Sequence, residues 1–410
     1  MIMAGLETAA VVTVGTELTT GHRLDTNGAE VALALAHAGY IVSEMVSVPD
    51  DRDMIATALS DLIARRTLVV VTGGLGPTHD DVTREAAAHV VGRALLRDAR
   101  IEEELVARIS PHREPSSAVS LLHQADIIEG AVVLPATTGT APGQIVDHDG
   151  HTLVLLPGPP HEMRPMLRVA LAGRVASAPP VTLRCVGITE SDAGHRVLPQ
   201  LERYPGVDLT LLGGPGTVDV ILVSTTGDPG PLEDARAAAE QALADTCFST
   251  DGSTLAETVV RLAATRSAVV ATAESCTGGL VASAITDVPG SSVMYTGSVV
   301  AYANDAKTAL LGVDPGLLAA HGAVSAEVAA AMAEGALRLP GATVAVATTG
   351  VAGPTGGSVE RPTGTVWFAL AATGAATRTE VHRYGGDRGM VRQRARTTAL
   401  DLLRRALLES

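Results

Sequence analysis

Short apolar runs alternate with amphipathic stretches along the first third of the chain. The runs at 9–15, 40–48 and 67–72 have the length and β-branched content of buried strands. The stretches between them predict helices, the first of which is capped by Asp25 or Thr26. This β-α-β-α-β order predicts a parallel sheet with helices on both faces, and ligands of such sheets bind beyond the carboxyl ends of the strands.

A second strand–turn–helix pattern lies in the last third of the chain. The apolar run 268–271 is followed by small polar residues and two glycines, and then by the helical segment 280–285. Ser275 is therefore expected near the first turn of a helix, where unpaired N–H groups and the positive end of the helix dipole stabilise an anion. Further strands are predicted at 294–301, 343–348 and 366–371.

The middle of the chain predicts a small α/β unit that carries no cluster of reactive side chains. His195 and Asp192 in this unit are expected at the surface, as most polar residues are. A structural or dimer-forming role is therefore predicted for it. Its strands are expected at 181–186, 207–212 and 218–225, and its helices at 191–201 and 232–244.

These patterns predict a multidomain α/β protein with domains at 1–171, 172–250 and 251–410. A chain of 410 residues is long enough for two or three separate cores. Hydrophobic residues make up 46% of the chain but aromatic residues only 2%, so Ala, Val and Leu must fill those cores.

Charge and cysteine content exclude several classes of protein. The formal net charge of −15 argues against a general nucleic-acid or anionic-membrane surface. The three cysteines are scattered without a CxxC pair, which predicts neither a disulfide framework nor a zinc site and fits a reducing cytoplasm. Neither a signal peptide nor a membrane-spanning segment is expected from the N-terminal pattern.

Three loops are predicted at the carboxyl ends of strands in the first domain. They begin at Gly15, Gly73 and Leu156. In the second loop, closely spaced glycines allow backbone N–H groups to approach a phosphate, and Asp80 and Asp81 can hold a divalent cation against it. The alternative is a glycine-rich turn in which Asp80 or Asp81 merely caps the following helix.

The last third also contains a candidate base for Ser275. Lys307 is the only lysine in the chain, and a desolvated lysine can act as a base where an arginine cannot. Tyr302 ends the preceding predicted strand, and Asn304 or Asp305 is expected to cap the helix that carries Lys307. A surface position for Lys307, and Cys276 as a rival nucleophile, are the alternatives.

The motifs of the first domain resemble those of the CinA family, the competence/damage-inducible proteins. The matching segments read GTELTTG, TGGLGPTHDD, GTAPG and LPGPPHEM. The resemblance implies a molybdopterin-binding-like fold with metal-dependent ADP-ribose pyrophosphatase activity. His123 is a departure, because many members have a lysine there. The residues implied at the phosphate and divalent-metal site are Glu17, Gly74, Gly76, Thr78, Asp80 and Asp81.

The last third resembles the C-terminal domain of the same family through AESCTGG, GSS, YANDAK, GAVS, TTGVAGPTGG and GDR. The resemblance implies hydrolysis of nicotinamide mononucleotide (NMN) to nicotinate mononucleotide and ammonia, without a cofactor. Ser275 would be the nucleophile and Lys307 the base, with Tyr302 and Ser292 relaying protons. N–H groups near Thr277, Gly278 and Gly279 would stabilise the oxyanion. The implied substrate contacts are Gly350, Ala352, Gly353, Gly356, Gly357, Arg361 (a lysine in most members) and Arg388.

Three functions remain open at the level of sequence. The first is a bifunctional enzyme that acts on NMN and ADP-ribose. The second is a deamidase whose first domain only binds nucleotides. The third is a non-enzymatic partner protein in competence or DNA damage. The resemblance also implies a KH-like middle unit, although no GXXG loop flanked by basic residues is present, and a homodimer that binds neither nucleic acid nor membrane.

Overall fold

The computed structural model describes residues 7–108, 120–173 and 178–409. The chain divides into two compact units. The first contains the described residues up to Pro180 together with 206–208 and 223–232, and the second contains 181–205, 209–222 and the described residues from Glu233 onwards. Within the described ranges, no helix combines the length and the apolar composition needed to cross a bilayer.

The first unit is built around a mixed six-stranded sheet. The strands of this unit are β1 (Thr8–Val14), β2 (Ile41–Val48), β3 (Leu68–Thr72), β4 (Leu95–Arg97), β5 (Asp126–Ile128), β6 (Val132–Leu134), β7 (Gly143–His148) and β8 (His151–Leu156), of which β4 and β5 pair with each other in a separate two-stranded sheet. Its helices are α1 (Thr16–Thr19), α2 (Thr26–His37), α3 (Arg52–Ile63), α4 (Thr83–Val90), α5 (Ala99–Arg108) and α6 (Pro160–Leu171).

Four neighbouring strands of this sheet are parallel, as the sequence predicts. The order is β2-β1-β3-β8-β7-β6, and β7 and β6 add an antiparallel edge. The antiparallel turn follows from Asp149 and Gly150, whose φ values of 48° and 84° are typical of a two-residue hairpin. Helices pack against both faces of the sheet, because successive strand residues such as Val11 and Val12 belong to different hydrophobic clusters. The predicted α/β class with a parallel sheet is therefore confirmed.

The small middle sheet contains β9 (Val181–Val186), β10 (Val207–Gly213), β11 (Thr217–Ser224) and β12 (Cys247–Ser249). The order of these strands is β10-β11-β9-β12. Strands β11 and β12 both pair antiparallel with β9. His195 and Asp192 are exposed on its first helix, as predicted. The helices of this part of the chain are α7 (Glu190–Leu201) and α8 (Pro229–Ala242).

The remainder of the second unit surrounds a five-stranded sheet. Its strands are β13 (Val270–Glu274), β14 (Tyr295–Val300), β15 (Val344–Gly350), β16 (Thr365–Ala372) and β17 (Arg378–Arg383). Its helices are α9 (Leu255–Thr265), α10 (Leu280–Thr286), α11 (Asn304–Leu311), α12 (Pro315–His321), α13 (Ala326–Leu337) and α14 (Arg388–Glu409).

This sheet has the order β14-β13-β15-β16-β17, and its first three strands are parallel. Alanines such as Ala271 and Ala345 face α13, whereas Val270 and Val344 face α9 and α14. The three carboxyl ends of β13, β14 and β15 meet at one edge. Three segments therefore lie together at that edge: the turn after Glu274, the segment that leads to Lys307 and the glycine loop after β15.

Two predicted helix caps are wrong. Helix α11 starts after Ala303 with no side-chain cap, so Asn304 and Asp305 do not serve as one. Helix α4 likewise has Val82 at its N-cap position with no side-chain hydrogen bond. The cap predicted at Asp25 is confirmed, since its carboxylate accepts from Gly28 N–H.

Candidate active sites

The turn that carries Ser275 lies between the end of β13 and the start of α10. Ser275 directly follows the last strand residue, and the helix begins only at Leu280. Ser275, predicted near the first turn of a helix, therefore lies in the turn that precedes this helix and not within the helix itself. Gly278 and Gly279 have φ values of 59° and 93°, a left-handed conformation that favours glycine, so this turn depends on the paired glycines.

The N-terminus of α10 is occupied by the side chain of Glu274. This fully buried carboxylate accepts hydrogen bonds from the N–H groups of Gly279 (2.8 Å), Val281 (3.2 Å) and Ala282 (2.8 Å). Gly278 N–H donates to the Ser275 carbonyl at 3.1 Å. The oxyanion role predicted for the N–H groups of Gly278 and Gly279 is thus contradicted, because both are bonded within the turn.

Lys307 reaches Ser275 from the first turn of α11. Its side chain is 1% exposed, and its Nζ lies 3.0 Å from Ser275 Oγ. The same Nζ donates to the carbonyls of Ala301 (2.9 Å) and Tyr302 (3.2 Å). Burial lowers the pKa of Lys307 below the ordinary lysine value. The alternative of a surface lysine is therefore wrong, and the base candidate contacts the nucleophile candidate directly.

Cys276 lies beside Ser275 but is not poised to react. Its thiol is 5% exposed, and burial raises its pKa to about 12. Only the thiolate is a strong nucleophile, so this thiol is inert near neutral pH. The geometry favours Ser275 over Cys276.

A cavity of about 160 Å³ opens onto the Ser275–Lys307 pair. At its wall, Arg388 donates to the Tyr302 hydroxyl (2.8 Å) and to the Gly353 carbonyl (2.9 Å). The Tyr302 hydroxyl thus contacts Arg388, while its carbonyl contacts Lys307. The structure does not bring this hydroxyl to the nucleophile in the relay arrangement predicted for it. The cavity is lined by Ser275, Cys276, Tyr302, Asn304, Lys307, Ala323, Val324, Thr349, Gly350, Ala352 and Arg388.

The structure contradicts the assignment of Ser292 to this site. Ser292 is exposed and lies in a short 3-10 helix just before β14. Strand β14 runs parallel to β13, and its start pairs with Val270 while its end pairs with Glu274. A six-residue strand is roughly 20 Å long, so Ser292 lies at the edge of the sheet opposite Ser275.

The glycine-rich loop after β15 contributes only its first part to the cavity. Gly350 and Ala352 line the cavity. Gly353 does not, but its carbonyl accepts a hydrogen bond from Arg388, which is a lining residue. Arg361 donates to the His321 carbonyl at 2.5 Å and so caps α12 instead of lining the cavity. The remaining predicted contacts, Thr277, Gly278, Gly279, Gly356 and Gly357, also lie outside the cavity lining.

Sequence reasoning missed three residues that shape this site. Glu274 anchors the turn, and Arg392 holds it from α14 by donating to the carbonyls of Cys276 (3.1 Å) and Thr277 (2.8 Å). Asn304 lines the cavity. Two features of the sequence point to Glu274 and Arg392. One is a carboxylate at the end of an apolar strand, and the other is the i, i+4 spacing of Arg388 and Arg392.

The first unit holds a larger cavity, of about 1070 Å³, at the carboxyl ends of β1, β3 and β8. These strands place three loops side by side, as predicted for a parallel sheet. All six predicted residues line this cavity. They are Glu17, Gly74, Gly76, Thr78, Asp80 and Asp81.

The glycine-rich loop in this cavity is held by its own side chains. Asp81 accepts from Gly76 N–H and Thr78 N–H, both at 2.8 Å, and from the Thr78 hydroxyl. The buried Arg84 guanidinium donates to the carbonyls of Leu75 (2.7 Å) and Gly76 (3.2 Å). Two N–H groups expected to face a phosphate are therefore bonded to Asp81, which does not cap α4.

The acidic side chains of this cavity do not form a ready-made metal cage. Within the described part of the chain, no group of three or more His, Cys, Asp or Glu side chains is arranged to hold an ion. Asp81 is committed to its loop, while Asp80 is exposed and the Thr78 hydroxyl lowers the pKa of its carboxyl. Such a site fits a magnesium-like ion that takes one or two carboxylates and completes its shell with substrate phosphates and water.

Two further residues of this cavity were not predicted. Glu162 is largely buried, and desolvation raises the pKa of its carboxyl. Asn27 donates to Thr72 Oγ1 (3.1 Å) and to the Gly158 carbonyl (2.6 Å), which ties two of the loops together. His123, which stands where many family members have a lysine, contacts Asp126, while its neighbour Gln124 lines the cavity.

Comparison with known proteins places both halves in one family. Residues 10–177 match the family model of a probable molybdopterin binding domain, and residues 252–407 match that of the CinA C-terminal domain. A putative competence-damage inducible protein of Symbiobacterium thermophilum is 42% identical over 98% of this chain and 99% of its own. A CinA-like protein of Geobacter metallireducens is 40% identical over 97% and 99%.

Among solved structures, a competence/damage inducible protein of Agrobacterium tumefaciens is 43% identical over 38% of this chain and 93% of its own, with a TM-score of 0.37. The full-length relatives match nearly the whole chain at about 40% identity. The chain therefore belongs to the CinA family.

Proposed function

We propose that this chain is a pyridine-nucleotide hydrolase whose C-terminal site converts NMN and water to nicotinate mononucleotide and ammonia. The observation that carries the proposal is the 3.0 Å contact between the buried Lys307 amine and Ser275 Oγ. A carboxamide is a poor electrophile, so its hydrolysis needs an activated nucleophile and a proton donor for ammonia. The Ser–Lys pair supplies both.

The surroundings of Lys307 suit a neutral amine. A neutral amine has two N–H donors and one lone pair, and the carbonyls of Ala301 and Tyr302 accept both donors. The lone pair then faces Ser275 Oγ and accepts its proton. Burial lowers the pKa of Lys307, which favours this form at lower pH than for a free lysine.

The reaction then follows in two halves. Lys307 takes the hydroxyl proton as Ser275 Oγ attacks the carboxamide carbon, and the ammonium of Lys307 returns the proton to the leaving nitrogen. Ammonia departs and leaves an acyl ester on Ser275. Water attacks this ester, and Lys307 passes one proton of the water to Ser275 Oγ as the ester C–O bond breaks. The carboxylic acid product ionises on release, and its proton goes to the ammonia in solution.

The rest of the cavity provides donors for the oxyanion and for the phosphate. The N–H group of Cys276, directly after the nucleophile, occupies the position of an oxyanion donor in other serine hydrolases, and Asn304 adds side-chain donors. Arg388 supplies a cation for the 5′-phosphate. The cavity of about 160 Å³ is smaller than the roughly 300–1,000 Å³ typical of ligand pockets, so the pyridine ring enters and the ribose phosphate lies at the mouth.

For the first unit we propose hydrolysis of ADP-ribose to AMP and ribose 5-phosphate. Its cavity of about 1070 Å³ has room for a dinucleotide, but its lining includes Glu17, Asp25, Asp50, Asp80, Asp81 and Glu162. A diphosphate would be repelled by these carboxylates unless a cation is bound as well. A divalent metal held by Asp80 and the substrate phosphates would neutralise the charge that develops as the anhydride breaks. Asp81 keeps the loop in place, and Glu162 provides a largely buried carboxyl with a raised pKa for proton transfer.

Both activities are tested with the full chain. Ammonia is measured with NMN, and AMP is measured with ADP-ribose in the presence of Mg²⁺ or of a chelator. We expect Ser275→Ala to abolish ammonia release, Cys276→Ser to retain it, and neither to change AMP release. Release of ammonia without release of AMP would support the alternative of a deamidase whose first unit only binds nucleotides. Absence of ammonia from the wild-type chain would overturn the main proposal, and absence of both ammonia and AMP would favour a non-enzymatic partner.

A further inference from the structure

Two of the three cysteines lie directly opposite each other in the middle sheet. Cys185 in β9 pairs with Cys247 in β12 in antiparallel register, and the register then shifts between Cys247 and Ser249. Cys247 N–H donates to the Leu243 carbonyl, and Val186 N–H donates to the Thr246 carbonyl at 3.0 Å. The two cysteines therefore form a non-hydrogen-bonded pair, the type in which opposite side chains are nearest.

A directly opposed pair of this type suits a disulfide. In non-hydrogen-bonded antiparallel pairs the Cα atoms are about 4.5 Å apart, and disulfides form at roughly 4.4–6.8 Å. Side chains of directly opposed residues also project from the same face of the sheet. We propose that Cys185 and Cys247 form a thiol pair that hydroperoxides oxidise to a disulfide.

The two thiols differ in accessibility, which assigns their roles. Cys247 is half-buried and lines a cavity of about 380 Å³ together with Asp251 and Arg261, whereas Cys185 is fully buried. The contact between the thiols lowers the pKa of Cys247 and raises that of Cys185. Cys247 is thus the attacking thiol and Cys185 the resolving one.

The chemistry is complete with the peroxide as the only oxidant. The Cys247 sulfur attacks one peroxide oxygen, the O–O bond breaks, and the other oxygen leaves with the thiol proton as alcohol or water. The sulfenic acid on Cys247 is then attacked by the Cys185 sulfur. The S–O bond breaks, and hydroxide leaves with the Cys185 proton as water. The two thiols are oxidised by two electrons, and the peroxide is reduced by two.

Cys276 provides an internal control in the same chain. It is 5% exposed, and burial raises its pKa to about 12, so it should resist the peroxide that oxidises Cys247. Any difference in oxidation between these cysteines therefore reflects their positions and not the treatment.

The test is peroxide titration of the reduced full chain, followed by alkylation of free thiols, digestion and mass spectrometry. We expect a peptide cross-linked through Cys185 and Cys247, reversed by dithiothreitol, with Cys276 recovered alkylated. The variant Cys276→Ser should give the same cross-link. In Cys185→Ser, a sulfenic acid should instead be trapped on Cys247 by dimedone.

Oxidation of Cys276 as fast as Cys247 would overturn the proposal. Accumulation of sulfinic acid on Cys247 in the wild-type chain, without the cross-linked peptide, would overturn it equally. Should Cys185→Ser fail to fold, the cross-link in the wild-type chain and in Cys276→Ser decides the matter.

Discussion

The two candidate sites lie at the same kind of place in the fold, but the chain has assembled them to different degrees. Both lie at the carboxyl ends of parallel strands. At the C-terminal site, Lys307 and Ser275 already contact each other in a buried position. At the N-terminal site, Asp81 and Arg84 are engaged with their own loop, and within the described part of the chain no three His, Cys, Asp or Glu side chains are arranged to hold a metal ion.

This difference indicates what each site needs from outside the chain. An amide hydrolase requires a nucleophile and a base, which are side chains and can be positioned by packing alone. A diphosphate hydrolase in an acidic cavity requires positive charge, and among the described residues the cavity lining offers only Arg23 and His22. The first site should therefore respond most to substitutions at its core, and the second to the divalent ion.

The largest effect is expected for Lys307→Met, which keeps much of the side-chain length but cannot accept a proton. Loss of a general base typically costs roughly 10²–10⁴-fold in rate. The measurement is the rate of ammonia release from NMN, with Cys276→Ser as the control. A folded Lys307→Met variant that retains more than a tenth of the rate would contradict the assignment of the base.

The next largest effect is expected for Glu274→Gln, which weakens the anchor of α10. Leaving buried N–H groups poorly paired costs about 1–3 kcal/mol, and the turn should shift Ser275 away from Lys307. Both the melting temperature and kcat should fall. The matched control is Glu257→Gln, which weakens the capping box at the start of α9. The control should lower only stability, and equal loss of activity in both variants would argue against a positioning role for Glu274.

Part of this site could be predicted from sequence, and part could not. The strand–turn–helix around Ser275 and the importance of Lys307 follow from local pattern and from the absence of any other lysine. Occupation of the helix N-terminus by Glu274 was missed because a side chain's partner depends on the turn's three-dimensional path. Ser292 was misassigned because sequence proximity to β14 does not specify which end of the strand faces the site.

The same limits apply elsewhere in the chain. The four parallel strands of the first unit follow from apolar runs, but the antiparallel edge depends on the short turn at Asp149 and Gly150. Cys185 and Cys247 appear scattered in sequence and become neighbours only through strand pairing. The predicted domain boundaries at 171 and 250 remain predictions.

A smaller effect is expected at the N-terminal site, where Asp80 and Asp81 can be separated. Asp80→Asn should weaken metal-dependent AMP release and leave the melting temperature unchanged, because Asp80 is exposed. Asp81→Asn should lower the melting temperature as well, since two N–H groups of the loop lose a charged acceptor. Ammonia release from NMN serves as the control for both. Equal effects of the two variants on AMP release and on the melting temperature would contradict the assignment of metal binding to Asp80 and loop stabilisation to Asp81.

The smallest effects are expected for Tyr302→Phe and Ser292→Ala. Tyr302→Phe removes a contact with Arg388, so it should raise KM for NMN a few-fold with little change in kcat. Ser292→Ala should change neither constant, since Ser292 lies at the opposite edge of the sheet. A large fall in kcat for either variant would restore the proton-relay role that the geometry disfavours.

The central claim is that Lys307 acts as a base with a lowered pKa, and the chain allows this to be measured directly. Because Lys307 is the only lysine, selective isotope labelling of lysine gives one side-chain NMR signal whose pH titration reports its pKa in the folded protein. We predict a midpoint below the ordinary value of about 10.4, with ammonia release rising through the same pH range. Stability should also rise as pH climbs from the lowered pKa towards the ordinary one, because the unfolded chain binds the proton more tightly. A midpoint at or above the ordinary lysine value would contradict the account.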